Sequence, residues 1–166
     1  MPISRQELFD FFDAHGIAHR TIDHPPVFTV KESQSVKINL SGAHTKNLFL
    51  KDKSAAHFLI CAEMQTSIRL NRLHPVIGCK RLSFGKPDKM LELLGVLPGS
   101  VTLFSVINDT SGDVRLIIDR KLVDARSVNF HPLSNDATTA ISSADMLKFA
   151  GAAGHDPIIL DFTAIG

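Results

Sequence analysis

The chain has 166 residues, of which 44% are hydrophobic, with 18 Lys or Arg against 17 Asp or Glu. We predict a single domain over residues 1–166 that is stable without disulfides or metals, because a chain of this length can bury a sizeable core. It has no run of about 18 apolar residues, so we expect no membrane span. An N-terminus without an apolar signal core, together with only two cysteines, favours a cytoplasmic protein.

The charges are distributed unevenly along the chain. Between Lys37 and Lys89 there are ten Lys or Arg residues and three acids, a local charge of +7, whereas the remaining residues carry −6. A basic segment on a nearly neutral chain favours a face that meets an anion such as a nucleic-acid backbone. A set of solvated surface lysines is the alternative interpretation.

The predicted elements begin with a helix and a strand. Ser4 and Glu7 form a capping box before an apolar stripe, and Gly16 is a natural stop. A short strand is predicted over residues 18–23, ended by His24-Pro25-Pro26, and a second capping box over residues 29–32.

The middle and the end of the chain are predicted to alternate short strands and helices. Strands are expected over residues 45–51, 57–61, 80–84, 101–107, 114–119, 127–131, 138–141 and 157–162, the first two forming a hairpin. Helices are expected over residues 68–77 and 87–94, and from a cap at Ser142 or Ser143 to Gly151. This order favours an α+β or irregular α/β domain around one largely antiparallel sheet.

Common catalytic signatures are absent, and a metal site is not favoured. The chain has no G-x-S-x-G elbow, no Walker A loop and no H-E-x-x-H sequence. His57 and Cys61 fall on a predicted strand, where a spacing of four residues separates side chains by roughly 13 Å. That separation is too long for two ligands of one zinc ion, so we predict no metal.

Three features are candidates for chemistry. Lys46 and Asn47 begin an apolar strand, where a lysine can hold a phosphate or a developing negative charge, or simply extend into water. The segment Gly95–Val101 contains two glycines and a proline and can aim backbone N–H groups at a carbonyl oxygen, or can serve as a plain connection. His131 can orient a substrate or exchange protons, although a lone histidine is more often structural.

Four segments occur in order at a familiar spacing. They are His24-Pro25-Pro26-Val27-Phe28-Thr29-Val30, Lys46-Asn47-Leu48-Phe49-Leu50-Lys51-Asp52, Leu94-Gly95-Val96-Leu97-Pro98-Gly99-Ser100-Val101-Thr102 and Phe130-His131-Pro132-Leu133-Ser134-Asn135. From about His24 to the C-terminus the chain resembles the YbaK/ProX group of aminoacyl-tRNA deacylases, relatives of the editing domain inserted in bacterial prolyl-tRNA synthetases. The branch that it resembles most is free-standing and clears alanine from proline tRNA.

The resemblance implies an α/β fold with a single mixed, curved, barrel-like sheet and short flanking helices, and hydrolysis of the aminoacyl ester of tRNA. It implies catalytic roles for Lys46, which positions the 3′ end, and for Gly99 and Ser100, whose backbone binds the carbonyl region. It implies substrate-binding roles for Phe28, Thr29, Asn47, Pro98, Val101, Thr102 and His131. The expected nucleophile is water, the expected cofactor is none, and the expected partners are the acceptor end of proline tRNA and a prolyl-tRNA synthetase, with no DNA.

One residue departs from the family pattern. Leu103 stands where the family usually has proline, which frees an N–H and loosens the turn. This keeps a second hypothesis open, namely a catalytically weak module that binds tRNA or a synthetase on the same fold. A third, a metal-dependent hydrolase using histidines, would lose activity on chelation.

Overall fold

The structure is a computed structural model that describes residues 2–26 and 41–165. In these ranges it contains eight strands, six α-helices and one 3₁₀ helix, Leu103–Asn108. The strands are β1 (Arg20–Asp23), β2 (Ala43–Asp52), β3 (His57–Glu63), β4 (Leu82–Phe84), β5 (Val114–Asp119), β6 (Ser127–Phe130), β7 (Ala137–Ser142) and β8 (Ile158–Leu160). The helices are α1 (Arg5–Ala14), α2 (Leu70–Ile77), α3 (Pro87–Leu94), α4 (Arg120–Asp124), α5 (Ser143–Ala152) and α6 (Phe162–Ile165).

All eight strands belong to one mixed sheet, as the fold class predicted. Its order is β1-β7-β6-β2-β3-β5-β8, with β4 attached to β2 beside this path. The expectation of a largely antiparallel sheet is corrected, because β2–β6, β3–β5 and β5–β8 are parallel pairs. Parallel neighbours need long crossover connections, and here those connections contain the helices.

Strand β2 joins the two parts of the sheet and leaves an opening along one edge. Near its start Ala43 and His44 pair with β6, and near its end Leu50 to Asp52 pair with β4. Among the described residues, neither strand pairs with Lys46, Asn47 or Leu48 on this edge. The sheet is therefore interrupted beside the residues that the sequence singles out.

Apolar residues pack on both faces of the sheet. The larger cluster includes Phe49 and Leu59 and extends to α1, α5 and the 3₁₀ helix. Within it the rings of Phe12, Phe104, Phe130 and Phe149 meet edge to face at 5.1–5.7 Å. The smaller cluster lies on the other face and joins Leu50 to α2 and α6. Each fully buried phenylalanine stabilises the fold by about 1.5–3 kcal/mol.

Most elements agree with the prediction, since local signals set their ends. Ser4 and Glu7 form the capping box of α1, and Ser142 caps α5. Pro87 begins α3, and Gly95 ends it in the left-handed conformation. The capping box predicted at residues 29–32 lies outside the described residues.

Two of the predicted strands are wrong in extent or type. Residues 101–107 form no strand but lead into the 3₁₀ helix, which Thr102 and Ser105 start with a reciprocal capping box. An apolar run fits a strand or a buried helix equally well, and here the cap decides. The strand predicted over residues 157–162 is limited to β8, because Phe162 already begins α6.

Helix α4 was not predicted. Asp119 caps it by accepting from the Lys121 N–H.

In the described residues no helix has the length and apolar character needed to cross a bilayer.

Candidate functional site

Lys46 lies on β2 opposite Ala62 of β3, at the start of the opening. Its side chain is half-buried, and burial lowers the pKa of its ammonium group. The charges of Glu63 and Asp119 act in the other direction and raise the pKa. The result is a partly desolvated cation, which attracts an anion more strongly than a lysine in open water does.

Lys46 on β2 and His131, which directly follows the last residue of β6, occupy corresponding positions relative to one pair of residues. His44 of β2 pairs in parallel with Asn129 of β6, and each of the two residues lies two positions further along its strand direction. Since side chains alternate between the faces of a strand, this register puts both on the face opposite Phe130 and the larger cluster. The two predicted groups therefore stand on the same side of the opening.

Hydrogen bonds fix the rings of His131 and His24. His131 Nδ1 lies 2.9 Å from the carbonyl oxygen of Ala137, and His24 Nδ1 lies 2.8 Å from that of Pro25. Because a carbonyl only accepts, both Nδ1 atoms carry the proton. His24 Nε2 lies 2.8 Å from the Thr138 hydroxyl. Burial lowers the pKa of His131, so its neutral ring presents Nε2 as an acceptor.

Asn47 faces the opposite side of the sheet from Lys46. It shares a face with Phe49, two positions further along β2, and Phe49 belongs to the larger cluster. Its Oδ1 is shielded from water and has no hydrogen-bond partner in the part of the chain that the structure describes. A buried carbonyl oxygen without a donor is costly, which makes Asn47 a candidate for contact with a ligand.

The turn at Gly99 has the backbone shape that its sequence predicts. Gly99 has φ +90°, which disfavours residues with a Cβ, and the Ser100 N–H donates to the Leu97 carbonyl at 3.0 Å. Pro98 is exposed, whereas Ser100 and Val101 are half-buried. Thr102 is fully buried, and its hydroxyl accepts from the Phe104 N–H, so its side chain supports the turn.

Leu103 is the first residue of the 3₁₀ helix and is fully buried in the larger cluster. The N–H at this position of a helix has no partner within the helix, which is why proline is tolerated there. The preceding residue, Thr102, is extended at φ −154° and ψ 159°, a conformation suited to a following proline. Leucine and proline are thus both compatible with this start.

The predicted residues that the structure describes lie on both faces of the sheet. Lys46 and His131 are on one face, whereas Asn47 and the Gly99 turn belong to the other, where Phe104 packs against Phe130 at 5.4 Å. In the described ranges no hydrogen bond joins Lys46 to the turn. Phe28 and Thr29 lie outside the described residues.

Sequence reasoning missed the residues that support Lys46. Asp119 accepts from the Glu63 N–H at 3.0 Å and from the Thr66 hydroxyl at 2.6 Å. Thr45 donates to the Asn129 carbonyl at 2.6 Å and ties β2 to β6. An aspartate at the end of an apolar strand was the only available signal for this support.

The basic segment forms few internal ion pairs. Nine of its Lys and Arg residues are described, and within this set only Lys89 has a carboxylate within 4.0 Å, that of Glu92 at 2.8 Å. The other cations are available to an external anion. In the described ranges no three His, Cys, Asp or Glu residues cluster as metal ligands would.

The mixed sheet and the site residues described above belong to an aminoacyl-tRNA editing protein, a hydrolase that deacylates tRNA. The family model of the aminoacyl-tRNA editing domain matches residues 24–149, and the chain belongs to this family.

Relatives agree with this membership along almost the whole chain. The prolyl-tRNA synthetase associated domain-containing protein 1 of Danio rerio is 38% identical over 160 residues, covering 95% of this chain and 87% of that protein. The prolyl-tRNA editing protein ProX of Acetoanaerobium sticklandii is 33% identical over 153 residues, covering 92% and 93%. A crystal structure described as a candidate trans-editing enzyme for prolyl-tRNA synthetase shares the fold, with a TM-score of 0.70, 15% identity and 97% coverage of both chains.

Proposed function

We propose that this protein hydrolyses alanine-charged proline tRNA, Ala-tRNA(Pro), as a free-standing editing enzyme. The observation that carries the proposal is the position of Lys46 and His131 on one face of the opening, in a chain of the editing family. The relatives named for proline tRNA editing support proline tRNA as the substrate. Its acceptor end is the proposed partner, with a prolyl-tRNA synthetase supplying the mischarged product, in the cytoplasm.

Lys46 is a positioning charge in this proposal. Its ammonium group binds the phosphate near the 3′ end and stabilises negative charge that develops during attack. Partial burial strengthens this attraction, and Glu63 and Asp119 help to keep the amine protonated. The His131 Nε2 acceptor holds a donor of the substrate, its ammonium group or a ribose hydroxyl.

The turn at Gly99 contributes backbone groups. The Ser100 N–H is used by the Leu97 carbonyl, so other backbone N–H groups of the turn around Gly99 polarise the ester carbonyl, and a water molecule attacks the carbonyl carbon. The bond from that carbon to the ribose oxygen then breaks, and the ribose oxygen takes a proton as free alanine leaves. An aminoacyl ester is activated, so positioning and carbonyl polarisation are sufficient without a serine nucleophile.

Selectivity comes from the size of the amino-acid pocket. Phe28, Thr29, Asn47, Pro98, Val101, Thr102 and His131 are the residues that we assign to binding the substrate. A small pocket admits alanine and excludes the larger proline, as a second sieve does. One methylene changes the rate by about 10- to 200-fold, which sets the discrimination expected among small amino acids.

The decisive experiment is deacylation of proline tRNA charged with alanine, serine, cysteine or proline. We expect alanine to be removed fastest and proline to be spared. Rapid removal of serine or cysteine with alanine spared would overturn the assignment of alanine. Binding of tRNA without hydrolysis of any member would instead establish the binding-module hypothesis.

A further inference from the structure

An exposed aromatic side chain lies beside the opening on the face of Lys46. Phe84 of β4 is 64% exposed, although it ends a strand whose Leu82 is buried in the smaller cluster. Phe84 pairs with Leu50 of β2, and residues directly opposite in an antiparallel pair share a face. Leu50 and Lys46 also share a face, because they are four positions apart on one strand.

Helix α2 runs along this same face. Just before the helix, the Thr66 hydroxyl donates a hydrogen bond to Asp119. The charge of Asp119 raises the pKa of Lys46. Just after the helix, the Lys80 N–H donates to Asp52 at the far end of β2, at 3.1 Å. The helix buries Leu73 and Ile77 in the smaller cluster. It therefore borders the path from Lys46 to Phe84.

Three cations that flank or belong to these segments have no internal ion-pair partner among the described residues. Arg69 and Arg72 belong to α2 and its cap, and Lys86 follows Phe84 by two residues. All three are exposed, and none has a carboxylate within 4.0 Å in the described part of the chain. An exposed ring among unpaired cations fits single-stranded nucleic acid, whose bases stack while its phosphates are neutralised.

We infer that Phe84 is a stacking platform for the unpaired nucleotides that precede the aminoacylated 3′ end, with Arg69, Arg72 and Lys86 binding their phosphates. The four-residue step from Lys46 to Leu50 spans roughly 13 Å. Stacked nucleotides repeat at about 3.4 Å, so the ring lies within about four stacked nucleotides of the base at Lys46. The inference rests on the proposed function, which places the 3′ end at Lys46.

The test compares two RNA hairpins, one with about four unpaired 3′ nucleotides and one blunt. Phe84→Ala is expected to weaken binding of the overhang hairpin by about 5- to 100-fold, the range of one lost base stack. Binding of the blunt hairpin stays unchanged, and Phe84→Tyr restores the affinity. Leu91→Ala is the matched control, because Leu91 is 48% exposed on the neighbouring helix α3. Equal overhang binding by Phe84→Ala and the parent would overturn the inference.

A kinetic arm separates this inference from the proposed function. With charged tRNA, Phe84→Ala raises KM and leaves kcat unchanged, whereas with alanine esterified to adenosine alone neither constant changes. A fall in kcat on the adenosine ester would contradict a stacking role. The parent protein could hydrolyse no charged tRNA and yet bind the overhang hairpin more tightly than Phe84→Ala does. In that case the proposed function fails and the stacking site stands.

Discussion

Lys46 of β2 and His131, which directly follows β6, each lie two residues beyond the parallel pair formed by His44 and Asn129. Residues an even number of positions beyond a pair of a sheet stay on the same face as that pair, so this pairing brings a cation and an imidazole to one side of the opening. Residues far apart in the sequence are thus placed on one face by the pairing of two strands.

Replacing Lys46 with alanine is expected to lower kcat/KM for Ala-tRNA(Pro) by about 100- to 1,000-fold, the loss typical of one preorganised electrostatic group. Single-turnover deacylation measures this effect. Thermal unfolding should be nearly unchanged, since no carboxylate lies within 4.0 Å of Lys46 in the described residues. Lys53→Ala is the control, because Lys53 is exposed in the β2–β3 turn. Full activity of Lys46→Ala would remove Lys46 from the mechanism.

The charge of Glu63 raises the pKa of Lys46. Glu63→Gln removes that charge, so the pKa of Lys46 falls further below its ordinary value. If protonated Lys46 is the active form, the alkaline limb of the pH–rate profile moves to lower pH. Rates corrected for spontaneous ester hydrolysis measure this shift. An alkaline limb at the same pH in Glu63→Gln and the parent would show that protonation of Lys46 does not set this limb of the pH–rate profile.

Leu103→Pro tests whether the family proline suits this turn. The extended backbone of Thr102 and the first position of the 3₁₀ helix accept a proline, so the protein should fold and retain deacylation. Loss of the buried leucine should reduce the free energy of unfolding by about 1–3 kcal/mol. Circular dichroism and denaturant titration measure both properties. Val106→Pro, in the interior of the same helix, is the matched variant that should fail to fold.

His57 makes stability depend on pH. Burial lowers the pKa of His57, and the charges of Lys89 and Lys51 lower it further. Below the ordinary histidine pKa the unfolded chain therefore binds a proton more readily at His57 than the folded protein does. The contribution of neutral His57 to the free energy of unfolding is thus complete above about pH 6.5 and decreases as the pH falls below that value.

His57→Phe should reduce this loss while preserving the stack on Phe49, whose ring centroid lies 5.3 Å away. The measurement is the difference in Tm between about pH 7.5 and about pH 5.5. An undiminished difference in the variant would assign the pH dependence to other groups, among them His131, whose pKa burial also lowers.

Local signals made parts of this fold predictable. The capping box of α1, the bounds of α3 and the β2–β3 hairpin follow from residues within one or two turns of chain. The parallel pairing of β3 with β5 depends on contacts between distant segments, which periodicity does not encode. The 3₁₀ helix was missed because its apolar run has no distinctive period.

The site likewise contains residues that short sequence motifs reveal and residues that only the tertiary structure reveals. Lys46, Gly99 and His131 belong to short sequence patterns and could be singled out. The charges of Glu63 and Asp119 raise the pKa of Lys46. These two residues lie on other strands and belong to no recognisable sequence motif, so they could not be singled out. Lys46 and Asn47, which the sequence analysis grouped at the start of one strand, face opposite sides because successive side chains alternate.

The junction between β2 and β6 is short. Two residue pairs, the Thr45 hydroxyl and the Asn129 amide hold the β1–β7–β6 part of the sheet to β2. The joint that fixes the separation of Lys46 from His131 is thus much shorter than the seven-residue ladder between β2 and β3. Opening of this joint would exchange the amides of Val128 and Asn129 with solvent before those of β3, and it would widen the space available to an amino acid. For the proposed reaction we expect size discrimination to depend on the stiffness of this seam in the sheet as well as on the side chains that line the pocket.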